Sequence, residues 1–470
     1  MPRDILVVGA GIAGLASAIA LSNELAPVVP GLKITVYDGA PELTTSGGAI
    51  SLTPVAQRYL DELGVLSELN QMGDHAGIEV DAIDLFSVRT GRRLGPLRFT
   101  DENGHGYGGY KGRRVLRSAL SEAMLAVARR LPNVSVHYDK KLVRGNTTAE
   151  NVTLQFEDGS TATGDLVLGC DGVHSATRTK IVDPGNRSEY TGISFIQSMA
   201  DARNFTATMP FTQTAVHLAR HSSLLTSYCD PKHEKLFVAA IVRVSEHLIE
   251  KYQAMSGTDL AAQKNMRMSM RYLVRAQFGM SSLPYIREII DRTEDWMLYP
   301  VYQVRQRGKW HTDRILLLGD AAHAVSSIVI NSIGFVTRLI QIQMPPRDES
   351  AAYAVEDAII FSKLLAQNPD SQLITLFEEY EELRRGLVNK AFDASRRLWQ
   401  SDLDKGLFPG QTRDLMSPVH LPPDSHIGKH ATQPINKTKL PAPTHESFSD
   451  LSVYSLTSDL GRTIDATNVD

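Results

Sequence analysis

Cysteine is almost missing from this chain: Cys170 and Cys229 are the only two in 470 residues. That excludes a disulfide framework and fits a reducing, cytoplasmic compartment. Charge of one sign is lacking too, since 49 lysines and arginines face 53 aspartates and glutamates for a formal net charge of -4. So weak a field gives nucleic acid or an anionic membrane little to hold, and neither is expected as a partner. No uninterrupted apolar run reaches the ~20 residues a spanning helix needs. The stretch that most looks like a leader, Ile5 to Leu25, is punctuated by glycines and lacks a cleavage pattern, so neither a signal peptide nor an anchor is expected there. No internal repeat is visible. What remains is an ordinary globular composition, 42% hydrophobic and 22% charged, on a chain long enough for two or three domains.

The first forty residues carry the clearest pattern. A short apolar run, Ile5 to Val8, breaks at Gly9-x-Gly11-x-x-Gly14, and helix formers continue to Leu25. In such a strand-turn-helix unit Gly9 lets the chain turn, Gly11 lets a pyrophosphate approach the backbone, and Gly14 lets helix and strand touch. The helix N-terminus then offers free N–H groups to phosphate oxygens. A second apolar run, Lys33 to Tyr37, ends on Asp38, placed to grip a ribose hydroxyl pair. Strand, helix, second strand and acid in this order predict a dinucleotide site.

Two further apolar runs end alike. Gly164-Asp-Leu-Val-Leu-Gly-Cys-Asp171-Gly172 leads to Ser175, placed to cap the next turn of the chain, and Arg314-Ile-Leu-Leu-Leu-Gly319-Asp320-Ala-Ala-His323 aims a carboxylate off a strand end. The C-terminal ends of strands are where α/β sheets bind ligands. Gly47-Gly48 reads as a loop before the helix Val55 to Leu63, which Gly64 stops. Residues 76–110 read as short antiparallel strands over one face of the nucleotide domain, and Arg113-Arg114-Val-Leu116 as the opening of a helix. Strands come next at 134–138 and 152–156, with a turn at Asp158-Gly159.

The expected class is α/β: a Rossmann-like dinucleotide-binding domain with a second, β-sheet domain and C-terminal helices. We assign residues 1–184 to the first part of the cofactor domain and 185–309 to the substrate domain. Residues 310–400 form the second part with the C-terminal helices, and 401–470, rich in Pro, Ser, Thr and Asp, a disordered tail.

The triple motif of GxGxxG, Asp171-Gly172 and Gly-Asp320-Ala-Ala-His resembles the class A FAD-dependent monooxygenases of the para-hydroxybenzoate hydroxylase fold. Fungal secondary-metabolite hydroxylases and tetracycline-modifying monooxygenases are the most similar in pattern. The resemblance covers residues 4–400. It implies that Gly9, Gly11 and Gly14 bind the FAD pyrophosphate and Asp38 the adenosine ribose. Gly47 and Gly48 would lie along the cofactor, and Arg113, in an Arg-x-x-Leu pattern, would contact it. Asp320 would bind the ribityl or pyrophosphate portion, and Asp171-Gly172 would support both FAD and the reducing nicotinamide. NADPH (or NADH) would supply electrons and O2 the inserted oxygen, for hydroxylation or epoxidation of an aromatic or polyketide-type molecule. His217, Arg220, His221, Tyr299 and Tyr302 are the substrate-side candidates; no catalytic residue is assigned, and no metal is expected. An NAD(P)-linked dehydrogenase would explain GxGxxG but not the other two motifs.

One departure stands out. In the family the Gly-Asp-Ala-Ala-His stretch runs directly into proline; here 19 residues, Val325 to Gln343, separate Ala324 from Met344-Pro345-Pro346. Val-Ser can be encoded GTG-AGT, a splice donor, and the closing Gln as CAG, an acceptor. We read 325–343 as translated intron, the alternative being a lineage-specific helical insertion. Either way, weak or absent FAD binding is expected of the full chain, a catalytically impaired product. The next two family glycines align with Asp348 and Ser350. Carboxylates at that helix start suit its dipole but oppose flavin charge.

Overall fold

The computed structural model describes residues 1–404 except 44–46, 220–221, 256–259 and 325–349. The expected disordered tail therefore lies outside the described residues from 405 onward, and 401–404 close the helix Leu373–Asp404. The inserted segment, Arg220 and His221 also lie outside them.

A six-stranded sheet forms one layer, in the order His311–Thr312, Ile315–Leu317, Leu166–Gly169, Asp4–Val8, Lys33–Tyr37, Val134–His137. All neighbours are parallel except the first pair. Its central strands are apolar along their length because both faces are covered, one by helices Ile12–Leu25 and Arg117–Arg130 and the other by the three-stranded sheet Leu142–Thr147, Val152–Phe156, Thr161–Gly164: Ile5, Val7, Leu166, Leu168, Ile315 and Leu317 are fully buried. Helix Ile12–Leu25 is buried on nearly every side, between this sheet and helix Ser350–Gln367. That explains its alanine-rich, barely amphipathic sequence.

The second layer is a seven-stranded sheet in the order Met297–Gln303, Glu189–Asp201, Lys235–Arg243, Ser223–Tyr228, Thr214–Leu218, Ala82–Ser87, Arg93–Arg98. Helices Glu246–Met255, Leu260–Phe278 and Pro284–Arg292 close one of its faces. Ile249, Met270, Val274, Phe278, Ile286 and Ile290 pack there on Ile196, Leu236, Val238 and Val242. Each fully buried aliphatic side chain contributes about 1.5–3 kcal/mol.

Two expectations are corrected. Residues 82–98 do not lie over the nucleotide domain: Ala82–Ser87 pairs in parallel with Thr214–Leu218 and so extends the distal sheet. Residues 113–116 are not helix but part of strand Gly112–Leu116, paired with Ala49–Leu52 and Ile78–Val80; the helix is Arg117–Arg130. Both cysteines are buried and free. Among the described residues no helix is long and apolar enough to cross a membrane.

Candidate active site

Register decides what converges. Val8 pairs with both Gly169 and Tyr37, and Gly169 with Leu317, so four adjacent parallel strands end at one level. With strands ~4.8 Å apart, Gly9, Asp38, Asp171 and Gly319-Asp320 emerge side by side on one edge.

The glycines divide by what a side chain would meet. Gly9 has φ +105°, and a Cβ there would lie 2.5 Å from the Cys170 carbonyl oxygen; at Gly14 it would lie 1.8 Å from the Gly9 oxygen. These two are required by packing. At Gly11 a Cβ would meet nothing within 4 Å. Gly11, with no side chain to cap helix Ile12–Leu25, leaves the first amides of the helix without a side-chain acceptor, an arrangement of the kind that takes a phosphate. Asp38 braces this turn: Oδ2 accepts from Ala10 N (2.6 Å) and Oδ1 from Ala40 N (2.8 Å).

Asp171 folds its own turn, accepting from Ser175 Oγ at 2.5 Å and from Thr177 N and Oγ1 at 2.9 and 3.0 Å. Burial pushes its carboxyl up, against these donors. Ser175 in turn accepts from Arg178 N at 2.8 Å, as its capping position predicts. Gly172, at φ +75°, leaves open space where a side chain would be. Arg178, which no motif reading singled out, is fully buried. It donates to the Ala321 carbonyl at 2.7 Å and also to Val173 O. One guanidinium thus joins the Asp171 and Asp320 turns. Asp320 opens onto the cleft. The surrounding protein raises its pKa, with His323 and Arg117 pulling the other way.

Gly47 and Gly48 sit between the layers. A Cβ on Gly48 would lie 2.4 Å from Phe237 Cε2 and 2.7 Å from Gln197 Nε2, both on the distal sheet; one on Gly47 would meet Arg117 Cδ at 3.0 Å. Arg113 points elsewhere: it is buried, with Nε donating to Gln57 Oε1 (2.9 Å) and Nη1 to Ala76 O (3.0 Å). The Arg-x-x-Leu spacing recurs four residues on, as Arg117 to Leu120. Arg117 is exposed beside Gly47, with its N–H on Gly48 O and its charge felt by Asp320. Knowing where the strand ends was what separated the two arginines.

The distal sheet sorts the substrate-side candidates. Tyr299 is half-buried, interacts with Gln197 and has its pKa raised by burial. Tyr302, on the opposite face of its strand, packs edge-on against His174 at 4.5 Å. His217 does not line a site: it is fully buried among Phe86, Phe211 and Tyr285. Nδ1–H donates to Leu224 O at 2.9 Å and Nε2 accepts from Tyr285 Oη at 2.7 Å, so the ring is neutral. Burial pushes its pKa down to about 4. The unfolded chain takes up this proton near pH ~6.5 while the folded chain refuses it until about 4. Protons therefore favour unfolding as pH falls through that window, by about 3 kcal/mol in all. Urea midpoints measured from pH 7 to 4 should fall, and His217→Asn should flatten that slope.

Fold and cleft together define a dinucleotide-binding protein, with a parallel-sheet cofactor layer facing a second sheet, and the family and relatives it matches make it an FAD-dependent monooxygenase. Residues 3–329 match the family described as FAD binding domain, and the chain belongs to it. It is 26% identical over 395 residues to 3-amino-4-hydroxybenzoate 2-monooxygenase PtnB3 of Streptomyces platensis, covering 84% of this chain and 87% of that protein. The structure of Klebsiella pneumoniae HpxO with FAD and uric acid superposes with a TM-score of 0.63 at 21% identity, over 86% of this chain and 93% of that one. Tetracycline destructase Tet(51) superposes with a TM-score of 0.56 at 19% identity, over 94% and 100%.

Proposed function

We propose that the chain hydroxylates or epoxidises an aromatic or polyketide-type small molecule of secondary metabolism, with NADPH or NADH as electron donor and O2 as oxidant. The supporting observation is the level ending of four parallel strands, with room for a ligand's approach at Gly11, where a Cβ would meet nothing within 4 Å. Bound FAD would take up the reducing equivalents and activate O2; one oxygen atom goes to the substrate and the other leaves as water.

The chain's own residues supply the rest. The amides after Gly11 would hold the pyrophosphate, Asp38 the ribose, and Asp320 with Arg117 the portion nearer the ring; Arg113 is better read as a brace for the loop at Ala76. Asp171 and Gly172 shape the turn where FAD and the nicotinamide would meet. The wall offered by Phe195, Phe237 and Leu225, with Gln197 and Tyr299 as its polar members, suits a flat ring bearing a hydroxyl or carbonyl and keeps water away. In domain terms, 1–184 with 310–400 would hold the cofactor, and 185–309, joined by strands 82–98, the substrate.

The inserted segment supports a second reading, an impaired product. A Cβ on Gly319 would lie 3.5 Å from Ala354 Cβ, so the start of helix Ser350–Gln367 stands close to the strand end. Without 325–343, six residues, 344–349, would connect Ala324 to Ser350, a link that spans up to about 23 Å. The test of the activity is NAD(P)H oxidation by flavin-loaded protein offered a panel of phenolics. Consumption should rise severalfold with a substrate, with product mass up by one oxygen. Consumption indifferent to every ring compound, with NAD(H) held in place of flavin, would favour a dehydrogenase instead.

A further inference from the structure

Beneath the Gly319-Asp320 turn lies a buried cluster of charges that no cofactor contact accounts for. Arg384, on helix Leu373–Asp404, is fully buried. Its Nε donates to Asp357 Oδ1 at 2.7 Å and its Nη1 to Glu356 Oε2 at 2.7 Å. Glu356 Oε1 accepts from Tyr59 Oη at 2.8 Å. The other Asp357 oxygen, Oδ2, accepts from the backbone N–H of Gly319 at 2.8 Å and from His323 Nε2 at 2.7 Å.

Stability alone does not explain this arrangement. Two carboxylates and a guanidinium taken out of water often stabilise a fold no better than apolar residues of the same size, and Phe361 and Phe377, both fully buried, occupy the same core. What a charge cluster does provide is direction. Burial works against the Asp357 carboxylate, yet His323 and Arg384 hold it well below the usual carboxylate range, so it stays an acceptor. Its target is a backbone that glycine adopts freely but does not itself prefer: Gly319 has φ 58° and ψ -142°, so the neighbours have to select this conformation from the many open to the residue. The next residue, Asp320, faces the cleft.

We propose that Arg384 is a positioning residue of the cofactor site: by fixing Asp357, it locks the Gly319 turn and His323, and so sets where the Asp320 carboxylate stands. This rests on reading Asp320 as a flavin contact, but the lock itself is testable without flavin.

Amide hydrogen exchange on the full chain reads it directly. Arg384→Met should speed exchange across Gly319 to Ala324 by about tenfold while strands Asp4–Val8 and Leu166–Gly169 keep their protection. Arg384→Lys, which retains the charge and one bond, should restore part of it. Phe377→Leu, which loosens the same helix pair without touching the cluster, should leave the turn protected. Unchanged exchange at 319–324 in Arg384→Met would overturn the proposal. So would loosening by Phe377→Leu to the same extent, or loss of protection throughout the chain in both Arg384 variants. In the 325–343 deletion, Arg384→Met should weaken FAD binding about tenfold. If the parent chain and its 325–343 deletion both ignore FAD, the reading of the cleft fails and the exchange result still decides the lock.

Discussion

A chain lacking residues 325–343 is expected to purify yellow and to bind FAD at least about tenfold more tightly than the 470-residue chain. The physical reason is local. Ala324 leaves the Asp320 turn at the cleft, and the family pattern continues from it directly to proline and a close turn against the flavin. Nineteen additional residues at that point are expected to keep the family's continuation from reaching the cofactor, while Asp357, Arg384 and His323 hold the turn's underside together. The full chain should therefore fold yet hold flavin poorly. Flavin absorbance after desalting, and NADPH oxidation by each form, measure the difference. Transcripts that uniformly retain the 57-nucleotide segment would dismiss the intron reading, and equal flavin retention by both forms would dismiss the impairment.

The second large effect separates two glycines of one motif. Gly14→Ala places a methyl group 1.8 Å from the Gly9 carbonyl oxygen; relieving that contact moves the helix off the strand and costs about 3 kcal/mol or more. Gly11→Val meets open space, at φ -76° and ψ -172°, backbone that any residue adopts. Its stability should stay within ~0.5 kcal/mol of the parent, while FAD affinity falls by about a hundredfold because the side chain fills the phosphate cradle. Thermal melts and flavin titrations of the two variants, made in the 325–343 deletion, check this. Equal loss of stability in both would mean that Gly11 serves packing as well.

How legible this was in the sequence depended on range. Val8, Gly169 and Leu317 end short apolar runs at Gly or Asp, a local signal, and the structure brings these ends to one level. The partner of Ala82–Ser87 was not legible, because it pairs in parallel with a strand more than a hundred residues away and nothing in either segment names the other. His217 misled for a different reason. Thr214 to Val216 are buried along with it, so alternation does not say which face a residue takes, and a polar residue in such a strand is as readily a core member bonded to Tyr285 as a ligand contact. Arg113 and Arg117 share a spacing, and only the strand-to-helix boundary at Leu116 tells them apart.

The pairing of Ala82–Ser87 with Thr214–Leu218 also bears on engineering. A fragment comprising 185–309 alone would leave the Thr214–Leu218 edge bare, a template for intermolecular association. Recombining this enzyme with a cousin to change its chemistry therefore has to carry 82–98 along with the later segment. A crossover placed anywhere between them would assemble a sheet from strands that never evolved to fit.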